Sequence, residues 1–145
     1  MFKIIKKNLT PIIIATFLIG GLFIMFNNNN SNDDLSHVVD VKVPNLTAQA
    51  KQGEIAFKAN CASCHGKNAG GSANGPPLIH DIYNSGHHAD EAFIRAVKLG
   101  VRAHHWPFGN MAAITTISNI ELQNIITYVR ELQANNGIVS KAHKM

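Results

Sequence analysis

A chain of 145 residues is enough for one domain, and its charge already removes one class of partner. The formal net charge of +4 comes from 13 basic and 9 acidic residues, but Lys3, Lys6 and Lys7 crowd the N-terminal tip, which leaves 10 basic against 9 acidic residues over positions 27–145. An excess confined to one tip excludes a basic face for nucleic acid.

The first segment of the chain, LTPIIIATFLIGGLFIMF (Leu9–Phe26), is 18 residues without a charge. As a helix at 1.5 Å per residue it would cover about 27 Å, just the thickness of a hydrocarbon core. It reads as a transmembrane helix or a signal peptide. No small-residue cleavage site follows Met25-Phe26, which favours an uncleaved anchor over residues 1–26. No cysteine follows the apolar run, so a lipoprotein is excluded. Three lysines before the run and none soon after it place the N-terminus in the cytoplasm and the rest in the periplasm or another extracytoplasmic space. Residues 27–45 begin as NNNNSNDD, lack a helical period and carry Pro44, which predicts a flexible linker; HVVDVKV within it has the look of a short strand.

The remaining residues, 46–145, form the expected domain. Thr47 is a plausible N-cap for a helix running through AQAKQGEIAFKAN into the cysteine motif, with Ala50, Gly53, Phe57 and Cys61 on one face. Glycine, proline and asparagine make 65–88 a loop. ADEAFIRAVKLG (Ala89–Gly100) is a second helix with acids in its first turn and a glycine stop. A further loop, VRAHHWPFGNMAAITT, precedes the last helix. There Ser118 and Glu121 form a capping box between the staple residues Ile117 and Leu122, and Leu122, Ile125, Tyr128, Val129 and Leu132 form an apolar stripe. The domain is therefore all-α with long loops, and it is poor in core unless the loops pack around something large and apolar.

The chemistry concentrates in NCASCHGK, residues 60–67, which holds the only two cysteines. A Cys-x-x-Cys pair serves as a redox dithiol, as half of a zinc site, or, when histidine follows directly, as the attachment point of a c-type heme. The dithiol wants a strand before the motif, and a helix precedes it here. Zinc wants two further ligands, and His87-His88 and His104-His105 are adjacent doublets, a poor match to the usual spacing. The heme reading uses every residue: Cys61 and Cys64 each add to a vinyl group, and His65 lies under the iron. Both thiols are then consumed and no disulfide remains.

With these pieces in order, the domain resembles the class I c-type cytochromes, small periplasmic or membrane-tethered electron carriers with one covalent heme c. The matching residues are Gly53 and Phe57, Cys61-Ala62-Ser63-Cys64-His65, Gly75-Pro76-Pro77-Leu78, a middle helix, a loop methionine and a last helix with Tyr128. The resemblance covers about two thirds of the chain and implies the cytochrome c fold, three main helices and long loops around the heme. It implies that Gly53 lets the first and last helices cross closely against Tyr128, with Phe57 in the same junction. It implies that the Pro76 carbonyl accepts from Nδ1 of His65 and that Leu78 packs on the ring. It makes Met111 the sixth iron ligand, with His104 and His105 as rivals, since Ala112 stands where members of the family often have proline. Trp106 and Arg102 could bind a heme propionate, although a plain core role for Trp106 is equally open.

A heme with both axial positions filled by protein leaves no room for a substrate. The implied function is one-electron exchange between a respiratory or periplasmic donor, such as a dehydrogenase, and an acceptor such as an oxidase, rather than an enzymatic reaction. The alternatives are a heme-bearing subunit of a larger oxidoreductase or oxidase complex, and a heme-based ligand sensor. Lys58 and Lys67 flank the motif and either steer an acidic partner or are merely solvated.

Overall fold

The computed structural model describes residues 13–24 and 35–141, which belong to two separate compact units divided after Asp33. In the first unit, residues 13–24 form a helix, α1, whose Phe17, Leu18, Ile19, Leu22 and Phe23 are all exposed. Among the described residues no helix is long and apolar enough to cross a membrane. The expected span Leu9–Phe26 lies partly outside them, at positions 9–12 and 25–26.

The second unit is helical, and no strand occurs among its described residues. It contains α2 (Ala48–Asn60), α3 (Ala62–His65), single 3-10 turns at Lys67–Ala69 and Asp81–Tyr83, α4 (Asp90–Leu99) and α5 (Asn119–Asn135). The helix starts follow local chemistry. Thr47 Oγ1 accepts from Ala50 N at 3.2 Å, and Thr47 also bonds Glu131 of α5 through both its amide and its hydroxyl, pinning one helix end to the other helix. At α5, Ser118 Oγ accepts from Glu121 N at 3.2 Å while the Glu121 carboxylate accepts from Ser118 N at 3.0 Å. Ile117 and Leu122 beside it are buried.

The core is the crossing of α2 and α5. Phe57, Leu122, Tyr128, Val129 and Leu132 are almost fully enclosed, and each aliphatic or phenylalanine side chain contributes about 1.5–3 kcal/mol by leaving water. Gly53 makes that crossing possible: a Cβ there would sit 1.9 Å from Asn124 O and 2.9 Å from Cβ of Tyr128. The rings of Phe57 and Tyr128 lie beside this point, 5.6 Å apart between centroids.

Two expectations change. The linker expected over 27–45 is tied to the domain from His37 onward; residues 27–34 lie outside the described ones. His37 Nε2 lies 2.8 Å from Ser72 O, Val39 N donates to Gly70 O at 2.8 Å, and Lys42 exchanges hydrogen bonds with Asn136 through its amide and its carbonyl. Val39, Val41 and Leu46 pack on the core, whereas Val38, Asp40 and Lys42 face water. The alternation in HVVDVKV is real, but the segment docks as extended chain and pairs into no strand. The first helix also does not run unbroken into the cysteine motif: it ends at Asn60, and Cys61, at φ −124° and ψ −30°, separates it from α3.

Candidate functional site

The cysteine motif sits where α2 gives way to α3. Cys61 is buried at the end of the α2 face that carries Gly53 and Phe57, and burial, with Cys64 nearby, pushes its thiol up to about 11. Cys64, one turn on, is exposed, and both thiols are free. His65 closes the turn. Its Nδ1 lies 2.9 Å from the Pro76 carbonyl, the partner that the family resemblance implies. That bond places the proton on Nδ1 and leaves Nε2 with a bare lone pair. Burial holds the His65 imidazole below its ordinary range despite the opposing effect of the Pro76 bond, so the ring is neutral at neutral pH and suited to ligate a metal.

The loop after the motif is folded tightly back upon it. Gly66 turns the chain at φ 73°, where a Cβ would sit 1.9 Å from Gly71 O, and Gly71 N donates to His65 O at 2.7 Å. Ser72 Oγ donates to Cys64 O at 2.6 Å. Asn68 and Ala69 both adopt left-handed backbone, at φ 53° and 61°, a conformation that costs about 1–2 kcal/mol for alanine. The surroundings hold it: Tyr128 Oη reaches Asn68 Oδ1 at 3.3 Å, and Leu78 N donates to Ala69 O at 2.8 Å. Leu78 is half-buried against the core, and its carbonyl accepts from the buried Gln133 side chain at 2.9 Å.

Trp106 and Met111 come from a second loop. Its base is an antiparallel bridge in which Val101 and Met111 exchange two backbone hydrogen bonds of 2.9 Å. Met111 is half-buried and packs against the same core cluster as Cys61 and Leu78. Trp106 stands among rings, with His80 edge-on at 5.2 Å and Phe108 and His37 beyond. Its indole N–H is buried and lacks an acceptor. The Tyr83 hydroxyl comes near it without closing a hydrogen bond in good geometry, and burial, the larger influence, holds that hydroxyl above its ordinary range. Arg102, His104 and His105 are exposed on the same loop, and His104 Nδ1 lies 2.8 Å from Arg102 O.

These groups fit a covalent porphyrin. Two thiols stand one helical turn apart, the imidazole beside them has one nitrogen fixed and one bare, and a buried indole N–H closes no hydrogen bond in good geometry among the described residues, as would suit a carboxylate of the ring. Sequence reasoning missed His37 and His80 near Trp106. Only the alternation in HVVDVKV hinted that His37 would be docked; nothing local marks His80.

Fold and site together define a small helical domain built to carry heme through two thioethers and a histidine. The family model for cytochrome c matches residues 50–133, and the chain belongs to that family. It is an electron-transfer protein whose cofactor is covalent heme c. A curated relative, the Cbb3-type cytochrome c oxidase subunit FixP of Azorhizobium caulinodans, is 33% identical over 96 residues, covering 63% of this chain and 32% of that protein. The chain thus matches about a third of that relative's length. No solved structure matches it.

Proposed function

We propose that the chain carries one heme, is anchored by its N-terminal segment, and passes single electrons between an extracytoplasmic donor and an acceptor. One heme follows from the single pair of cysteines in the sequence. Anchoring rests on the uncharged run Leu9–Phe26 with lysines before it, and the same charge pattern supports a domain outside the cytoplasm. The observation that carries the electron-transfer reading is His65, held on the Pro76 carbonyl with Nε2 bare, directly after Cys61 and Cys64, which form no disulfide. When bound, the heme supplies reversible one-electron exchange at iron. The protein's part is to fix the imidazole plane, exclude water from His65 and supply the remaining ligand.

Met111 is our candidate for that ligand. Its backbone is clamped to Val101 and its side chain is packed inward, whereas His104 and His105 are exposed. A thioether favours ferrous iron and raises the reduction potential. In the reduced wild-type protein, carbon monoxide should therefore bind slowly at neutral pH. In Met111→Ala it should bind rapidly, and the potential should fall. Rapid binding by the wild type would favour a ligand sensor instead.

The likeness to FixP favours a second reading, a heme-bearing subunit of an oxidase complex. Detergent extraction followed by sizing at high salt separates the two. A diffusing carrier elutes alone, and a subunit elutes with its complex.

A further inference from the structure

The four histidines whose sequence spacing matches a zinc site poorly meet in space. His87 and His88 follow the Asp81–Tyr83 turn, and His104 and His105 lie on the loop closed by Val101 and Met111. Ring centroids are 4.6 Å apart for His87 and His88, 5.6 Å for His87 and His105, 5.4 Å for His88 and His105, and 4.1 Å for His104 and His105. One nitrogen from each of His87, His88 and His105 lies within 4.8 Å of the other two. We propose that His87, His88 and His105 form a binding site for a late first-row divalent ion, Zn(II) or Cu(II), distinct from the heme iron.

The chemistry of the donors supports the assignment. Three imidazoles suit Zn(II) and Cu(II), with water completing a four-coordinate shell. A tetrahedral zinc with bonds of about 2.0–2.1 Å needs its nitrogens about 3.3 Å apart, so from separations within 4.8 Å the site closes by at most about 1.5 Å. His105 is exposed, and a change of its side-chain rotamer is the movement that would close the site. His88 is the fixed member: its Nδ1 lies 2.6 Å from Ile82 O, which sets the proton there and leaves Nε2 as the ligand atom. One cation stands close by. Arg130 donates to the His88 carbonyl at 2.6 Å, but its Nε is paired with Asp90 at 2.8 Å, which offsets its charge. An ion bound here would clasp the 81–88 segment to the loop that carries Trp106 and Met111.

The test uses the full-length heme-loaded protein without an affinity tag, titrated with Zn(II) by calorimetry and with Cu(II) by electron paramagnetic resonance. One saturable equivalent is expected, with nitrogen superhyperfine splitting from three imidazoles on the copper signal, a raised thermal midpoint and a heme that keeps both axial ligands. His105→Ala, a change at an exposed ring, should weaken binding by about 100-fold while leaving the metal-free midpoint and the spectrum as they were. His88→Ala should do at least as much to the affinity. Absence of saturable binding in the parent or unchanged affinity in His105→Ala would each overturn the proposal; so would conversion of the heme spectrum to that of an open iron site on adding zinc, which would make a cluster histidine an iron ligand. The Met111 assignment is tested separately by carbon monoxide, so either can fail alone.

Discussion

Single atoms decide whether α2 and α5 can meet. With Asn124 O only 1.9 Å from where a Cβ of residue 53 would lie, Gly53→Ala must push two backbones apart and disturb the Phe57 and Tyr128 junction between them. A loss of about 3 kcal/mol is expected from such overpacking, read as a lowered denaturant midpoint with the heme attached. Tyr128 makes a pH-dependent contribution at the same spot. Burial, helped by Glu54, pushes its hydroxyl up to about 12, above the ordinary value of 10. Between those values the unfolded chain has already lost the proton that the folded chain keeps, so the stabilisation is complete below pH 10 and is lost as pH rises toward 12. Tyr128→Phe gives up the hydroxyl bond to Asn68, about 1 kcal/mol, but should flatten the alkaline fall in stability relative to the wild type. An equal alkaline slope in both proteins would contradict this account.

The helix termini show what a sequence can reveal about an element. Glu121 is held below the ordinary carboxylate range by the hydroxyl and then the amide of Ser118. A lowered carboxylate stabilises the fold above its unfolded value and ceases to do so as pH falls through the folded one. Glu121→Ala should therefore be less stable than wild type near pH 7, and the deficit should shrink in thermal melts as pH falls through the carboxylate range; a deficit unchanged at low pH would assign the loss to the uncharged hydrogen bonds of the cap instead. This cap was legible in advance because Ser118, Glu121, Ile117 and Leu122 are close in sequence and act within one turn. Gly53 and Tyr128 were legible for a different reason, the order of pieces shared with a known family. Elements whose partners are distant were not. The 37–45 segment reads as a linker by composition, and only Gly70, Ser72 and Asn136 show where it docks. The two histidine doublets looked unsuited to metal by spacing, because their convergence depends on two loops 17 residues apart in sequence.

At the scale of the whole molecule, the long loops make sense only around a large apolar body. The helical core is essentially one crossing, α2 on α5, and the 66–78 loop and the 101–111 loop carry backbone strain, a buried unpartnered indole N–H and an inward methionine. A covalent porphyrin held between those loops would bury their apolar side chains and complete the core. Stability and electron transfer would then have a common source, and removing the attachment should cost both. Cys61 and Cys64 are accordingly the residues on which the account stands. The direct measurement is the intact mass and absorbance of the purified chain after complete unfolding in denaturant and extraction of any free heme. The account predicts a chain heavier by one heme that keeps its Soret absorbance, with the attachment abolished in Cys61→Ala/Cys64→Ala. A chain of unmodified mass, colourless and with two titratable thiols, would contradict it.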